Sequence, residues 1–376
     1  MKIRAAVLEE IGRPGPYAET RPLTVCDIGL ADPQRAEVLV RVVAAGLCHS
    51  DLSVINGDRP RPVPMVLGHE GAGVVEKVGE GVFDLEPGDH VIFVFVPSCG
   101  HCSPCRSGRP ALCEPGAVSN GKGELTGGGI RLSRNGEPVF HQVGISSFAT
   151  HCVVSRLSLV KIDKEVPLPI AAVMGCAVLT GAGAAFNTGA VVPGGTAAVV
   201  GLGGVGLSAV LGAVAAGAET IVAIDTMDSK LDTARELGAT HCFNASDPDV
   251  VAKVREATSG GVDAAMEFAS SPRALESAFD MTRRGGTTIS ASLPHPNSTL
   301  NISPLKLVAE ERTLKGSYLG SGVPTRDIPR FLGLYRRGKM PVDKLMTHTL
   351  TLDQINEGFD RLHHGEAIRQ VVVFDN

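Results

Sequence analysis

Four cysteines crowd into "CGHCSPCRSGRPALC", at Cys99, Cys102, Cys105 and Cys113. Their x2, x2, x7 spacing predicts a tetrahedral thiolate cage for Zn²⁺, since short loops let four soft sulfur donors converge on one small cation. Four thiolates saturate zinc, so this cage pins a loop and leaves no position open for a substrate. Further soft donors are scattered along the chain: Cys48 in "GLCHSD", His69 in "LGHEGAGVV" and Cys176 in "MGCAVLT". Three protein ligands plus an open position are how a catalytic zinc is held. Distance along the chain does not join these three, and each alone also reads as a buried thiol or a structurally partnered imidazole.

A second chemistry is carried by "TAAVVGLGGVGLSAVLGAVAAGA". Gly201, Gly203 and Gly206, with Gly204 and Val205 between them, make a G-x-G-x-x-G turn between an apolar strand and a helix. Such glycines let the backbone approach a pyrophosphate at the positive end of the helix. Asp225 closes the next strand, about 20 residues on, where a carboxylate binds a ribose 2′-hydroxyl and repels a 2′-phosphate. The expected cofactor is therefore NAD and not NADP. A tight structural turn is the alternative, and strand, helix and acid together argue against it.

The elements that must position these groups divide in two. A chain of 376 residues exceeds what one core usually serves. Its 43% hydrophobic content supports packed domains, and 12 Phe, 3 Tyr and no Trp imply cores built mainly of Val, Ala and Leu. Up to about Cys176 the texture is short strands between Gly/Pro/Asp turns, an all-β half. Strands then alternate with helices, which predicts a doubly wound parallel sheet. Beyond Gly320 a helix and a strand are positioned to complete the first half.

The net charge of −5, with no clustered Lys/Arg stripe, excludes nucleic acid as the expected partner and favours a small molecule. No apolar run suits a membrane span, and "MKIRAAVLEEIG" reads as a first strand and not a signal peptide. A cytoplasmic location follows, with the nine cysteines as metal ligands or buried thiols; Cys26, Cys152 and Cys242 read as core thiols. His101, His151, His241, His363 and His364 receive no site role.

Over essentially its whole length the chain resembles the zinc-containing medium-chain alcohol dehydrogenases, with "GHEGAGVVEKVGEGV", the four-cysteine lobe, "GLGGVGL", "RTLKGSYLG" and "INEGFDRLHHGEAIR" in family order. The resemblance implies an α/β fold: a GroES-like β catalytic domain, residues 1–177 and 321–376 with a structural-zinc lobe at 95–115, and a Rossmann NAD-binding domain at 178–320. It implies two zincs per subunit. Cys48, His69 and Cys176 would hold the catalytic zinc, with Glu70 as an intermittent ligand or electrostatic modulator, and Cys99, Cys102, Cys105 and Cys113 the structural one. The implied chemistry is reversible hydride transfer from an alcohol, acidified by zinc, to the nicotinamide of NAD.

Further roles rest on the same resemblance. Ser50 would relay the alcohol proton. His49 and Arg369 would face cofactor phosphate, Lys230 the adenosine ribose and Thr180 the nicotinamide carboxamide. Phe95 would line the substrate channel and favour primary alcohols, while Arg59 and Arg61 would lie near its mouth. Thiol-dependent formaldehyde dehydrogenase is the closest alternative activity. A non-enzymatic zinc- and NAD-binding redox sensor is a remote one, since a sensor needs no open metal position. The stretch "SNGKGELTGGGIRLSRNGEPVF" after the four cysteines reads as a long loop that resembles dimeric members more than compact tetrameric ones, so a homodimer is expected, joined near Leu300 to Tyr318, where an edge strand must be covered.

Ser53 occupies the position at which several family members end the proton relay with a histidine. Ser53→His is expected to shift the pH profile of turnover, measured as kcat against pH; an unchanged profile refutes that relay.

Overall fold

Alternating apolar residues and glycine turns build the first unit from strands. The structure is a computed structural model that describes residues 1–374; of the expected C-terminal segment, 375 and 376 lie outside the described residues. Strands Lys2–Leu8, Leu23–Leu30, Leu132–Arg134, Glu137–His141 and Met65–Val66 close a barrel. A second sheet runs in the order Leu159–Ile162, His90–Phe93, Ala72–Val78, Glu37–Gly46, Arg369–Val373 and Met346–Leu350, with His151–Ser155 also paired to Glu37–Gly46. Their inward faces bury Leu47, Ile55, Leu67, Phe93, Phe148 and Phe359, each below 2% exposure, with Phe148 and Phe359 edge to face.

This unit is not all-β. Helix His49–Ile55 starts on Cys48, helix Glu114–Lys122 starts on Cys113, and helix Ile355–His363 follows late in the chain. The segment expected as a long loop is also ordered differently. Its first residues finish helix Glu114–Lys122, which stops at the left-handed Gly123, and its last form the hairpin Leu132–Arg134 with Glu137–His141. Turn glycines made this stretch look open, but the hairpin completes the barrel.

The second unit is a six-stranded parallel sheet. In spatial order its strands are His241–Asn244, Thr220–Asp225, Thr196–Val200, Val262–Glu267, Thr282–Ser290 and Thr313–Gly316. The chain starts at the centre, works out to one edge, then returns and works out to the other, which is the doubly wound order with its crevice at the reversal. The strands read as unbroken apolar runs because helices cover both faces of such sheets. Among the described residues, no helix is long and apolar enough to cross a membrane.

By compactness the first unit comprises Met1–Cys176, Val323–Pro329 and the chain from Met346, and the second Ala177–Gly322 with Arg330–Leu345. The expected catalytic segment from 321 is thus interrupted. Phe331 stacks on Phe186 at 5.6 Å and the Arg330 guanidinium lies 4.9 Å from the same ring, which holds this stretch in the second unit. An amphipathic helix carries no mark in its sequence of which core it joins. All nine cysteines are free. Cys152 is buried as expected, whereas Cys26 and Cys242 are only half-buried.

His141 shows how this core responds to acid. It is fully buried, and its Nε2 accepts the Arg131 backbone N–H at 3.0 Å. Burial first, then the Arg131 charge, push its imidazole down to about 3. The folded protein holds it neutral while the unfolded chain protonates it below roughly 6.5, so its contribution to stability is intact above that pH and lost as pH falls towards 3. His141→Gln is expected to flatten the fall of Tm with pH across that window; an equally steep fall would show that His141 does not set it.

Candidate metal centre

Three strand ends build the principal site. Strand Glu37–Gly46 delivers Cys48, the turn before strand Ala72–Val78 delivers His69 and Glu70, and strand Arg369–Val373 delivers Arg369. The register is set by Val371 opposite Gly46, by Leu47 N–H donating to the Gln370 carbonyl at 3.0 Å, and by Gly46 N–H donating to the Glu70 carbonyl at 3.3 Å. Cys176 arrives on the π-helical turn Met174–Val178, a geometry that widens a helix and recurs at functional sites. Gly175 passes so close to the Phe93 carbonyl that a Cβ would collide with it.

One donor atom each from Cys48, His69, Glu70 and Cys176 lies within 4.8 Å of the others, and all four residues are buried. His69 Nε2 is 3.5 Å from Cys176 Sγ and 3.8 Å from Glu70 Oε1. Asp51, wholly buried, sets this orientation. Its Oδ1 takes His69 Nδ1 at 2.7 Å, and its Oδ2 accepts the Cys48 backbone N–H at 3.0 Å. Cys48 Sγ in turn accepts the Asp51 backbone N–H, so ligand and orienting acid start the helix together in a capping box. With Nδ1 bonded to a carboxylate, Nε2 is left with its lone pair for a metal.

The charges fit a cation. A hydrogen bond from the Cys176 thiol holds Cys48 well below the usual thiol range against the opposing effect of burial, and that bond and burial push Cys176 up. Burial alone would lower His69, but Asp51 and the neighbouring thiolate outweigh it and raise it. Burial lifts Glu70 to about 8 against the pull of Arg369. Glu70 Oε1 is buried with no hydrogen-bond partner and faces the cluster. Two thiols, an imidazole and an orphaned carboxylate oxygen converging in a buried cluster match the donor set of Zn²⁺.

Arg369, expected at a cofactor phosphate, is 4% exposed and engaged by Glu70 Oε2, with only its Nε left without a partner. A Cβ on Gly46 would stand 2.7 Å from Glu70 Oε2 and 3.2 Å from Arg369 Nη2, so only glycine lets this pair cross the strand. Phe95 presents its ring edge-on to His69, centroids 5.5 Å apart at 89°. Ser50 is half-buried in the first turn of the helix, and His49 beside it is exposed. Ser53 Oγ donates to the His49 carbonyl at 2.9 Å, so it serves its own helix. Arg59 and Arg61 are half-buried in the following segment.

The second cluster joins Cys99, Cys102, Cys105 and Cys113, with sulfurs within 4.8 Å of one another and no disulfide. Backbone N–H groups point at the sulfurs: Cys99 donates to Cys113 Sγ at 3.3 Å and Cys102 to Cys99 Sγ at 3.4 Å. Burial opposes the Cys99 thiolate, but the His101 and Cys102 backbone donors overcome it and lower it to about 7. Burial pushes Cys105 up to about 12. Four sulfurs held this close without bonding, with N–H donors arranged for thiolates, fit a tetrahedral zinc.

In the second unit, strand Thr196–Val200 turns into helix Gly204–Ala216 through the three glycines. Gly201 has φ +91°, and a Cβ there would lie 2.7 Å from the Ala269 N–H. Gly206 admits no Cβ against the Gly201 carbonyl, whereas Gly203 faces open space, the side on which a pyrophosphate can approach. Asp225 accepts the Leu202 N–H at 2.7 Å and the Met227 N–H at 3.0 Å, which leaves each oxygen a second lone pair for ribose hydroxyls. Lys230 is half-buried on the next helix, Asp228–Glu236. Thr180 is buried beside Gly181, whose Cα packs against Val205 and Ser208.

Comparison with known proteins agrees with this geometry. Residues 34–164 match the family model described as alcohol dehydrogenase GroES-like domain, and residues 204–337 match that described as zinc-binding dehydrogenase. S-(hydroxymethyl)glutathione dehydrogenase of Escherichia coli O157:H7 is 39% identical over 99% of this chain and 100% of its own. The chain belongs to the zinc-containing medium-chain alcohol dehydrogenase family. Among solved structures, benzyl alcohol dehydrogenase from Acinetobacter calcoaceticus superposes with a TM-score of 0.93 at 35% identity, covering 100% of both chains. An alcohol dehydrogenase zinc-binding domain protein from Burkholderia ambifaria reaches 0.94 at 37%, also over 100% of both. This family member is an oxidoreductase of GroES-like plus Rossmann architecture, with zinc and NAD as its cofactors.

Sequence reasoning missed Asp51, although it stands in the quoted "CHSD", and missed that Arg369 pairs with Glu70. An acid three residues after a metal-ligating N-cap is the available signal for Asp51. Asp51→Asn is expected to weaken zinc at this cluster by roughly 10–100-fold while the four-cysteine zinc stays bound. Metal content during chelator titration measures this, and unchanged affinity would refute the orienting role.

Proposed function

We propose that this protein oxidises primary, preferably aromatic, alcohols to aldehydes with NAD, reversibly. The observation that carries the reading is the buried Cys48, His69, Glu70 and Cys176 cluster with the Phe95 ring against its histidine. Cys48, His69 and Cys176 would hold a zinc that supplies a Lewis acid for an alcohol oxygen, and NAD bound at the glycine turn would supply the hydride acceptor. Asp51 keeps the His69 ring in the ligating tautomer. Ser50 Oγ takes the hydroxyl proton and passes it outwards, and because Ser53 is bonded to the His49 carbonyl the proton ends in solvent or on the exposed His49. Phe95 narrows the pocket and excludes water. Glu70, paired with Arg369, modulates the charge behind the metal.

The first unit acts as the catalytic domain and the second as the coenzyme domain, with the Gly201–Gly206 turn, Asp225, Lys230 and Thr180 as its cofactor contacts. Asp225 favours NAD over NADP. His49 and Arg369 are the phosphate-side cations of this reading, and Arg59 and Arg61 its polar pocket mouth. Strand Thr313–Gly316 is the sheet edge, and Leu305 and Val308 nearby are 75% and 76% exposed, which supports a homodimer formed there. A cytoplasmic location completes the reading.

A second activity, oxidation of a thiol adduct of formaldehyde, is favoured by the 39% identity to S-(hydroxymethyl)glutathione dehydrogenase over nearly the whole chain. NADH formation should be measured on benzyl alcohol, ethanol, secondary alcohols and formaldehyde with and without glutathione. The expected result is turnover highest on benzyl alcohol with NAD, abolished by chelation and restored by zinc. Turnover only with formaldehyde plus glutathione would replace the first activity by the second.

A further inference from the structure

We propose that Asn120 is a positioning residue for the substrate pocket, acting through Phe95, an inference that rests on the alcohol-oxidising reading above. Helix Glu114–Lys122 begins on Cys113, the last cysteine of the lobe, and buries only Gly116 and Asn120. These stand one turn apart on one face, and that face lies along the chain entering the lobe. Gly116 meets Pro97, where a Cβ would come within 2.5 Å of the carbonyl oxygen. One turn later the Asn120 side-chain amide donates to the Phe95 carbonyl at 2.7 Å. The chain therefore leaves Phe95, passes through the four cysteines and returns to grip Phe95 by its backbone.

What is gripped matters because Phe95 is not within a strand: strand His90–Phe93 ends two residues earlier. The ring that meets His69 edge-on thus sits on irregular backbone next to a metal-carrying loop. Asn120 is 8% exposed, and its amide oxygen has no partner, so the side chain is held in place by its N–H group. Beyond it, Gly123 ends the helix with φ +72° and packs on Phe140 and on Pro62, within the segment that carries Arg59 and Arg61. One short helix thereby ties the Phe95 backbone and the segment of Arg59 and Arg61 to the four-cysteine lobe. Without the Asn120 bond, the Phe95 carbonyl loses the donor that ties it to this helix, and the ring shifts relative to His69.

Two variants separate this role from simple packing. Asn120→Ala removes donor and volume, whereas Asn120→Leu keeps the volume and removes the donor. Both are expected to raise kcat/KM for 1-phenylethanol relative to benzyl alcohol by about fivefold, towards the ratio of Phe95→Ala. A second readout needs no turnover. In the cobalt-substituted protein, the visible spectrum reports imidazole and 4-phenylimidazole binding at the metal, and both variants should shift the ratio of the two Kd values several-fold relative to the parent protein. Ratios in Asn120→Leu within twofold of the parent, while Phe95→Ala changes them, would overturn the role of Asn120. Unchanged ratios in Phe95→Ala would overturn it as well. If the parent protein is silent on every alcohol, the proposed substrate fails, and the cobalt titration still decides for or against Asn120.

Discussion

A single buried carboxylate organises the centre of this protein. Asp51 has no exposed surface, yet it holds the Cys48 backbone N–H and the His69 ring at once. A charge so placed is costly unless it is hydrogen-bonded on each side, and both of its bonds go to metal-cluster residues. The helix His49–Ile55 can start only where that carboxylate reaches back over Cys48, so the cap that begins the helix also aims the histidine. Ser50 and Ser53 take their positions from this start, Ser50 in the first turn and Ser53 bonded to its own helix.

The same economy of buried charge explains the Glu70–Arg369 pair. Two side chains with 0% and 4% exposure are joined across a strand that must carry glycine at position 46. Removing one partner of such a pair strands the other, at a cost of roughly 3–5 kcal/mol, so the two are coupled to each other and to the strand. Between Asp51 on one side and Arg369 on the other, the thiols and imidazole stand in a field that two opposite charges shape.

The lobe formed by the four cysteines is more than a separate staple. Its outgoing helix packs on its incoming strand segment through Gly116 and Asn120, so the loop is closed twice, once at the sulfurs and once at the Phe95 carbonyl. The second unit follows its own rule: three glycines have three different surroundings, one strained turn, one open face and one close contact, the pattern suited to a dinucleotide turn.

The sequence by itself determined those features whose physics is local. Cysteine spacing is set by the reach of short loops, which is why the lobe was legible, and the glycine pattern followed by Asp225 is set by strand, turn and helix lengths. Family likeness extended this to Cys48, His69 and Cys176. The tertiary structure alone decided what depends on distant registers. Asp51 meets His69 across 18 residues and Arg369 meets Glu70 across 299, and no local pattern encodes either pairing. The placement of Arg330–Leu345 with the second unit, and the hairpin made from an apparently open glycine-rich segment, were likewise decided by which apolar face found a partner. Local propensity says that a residue will be helical or extended, whereas burial and sheet register say what it will touch.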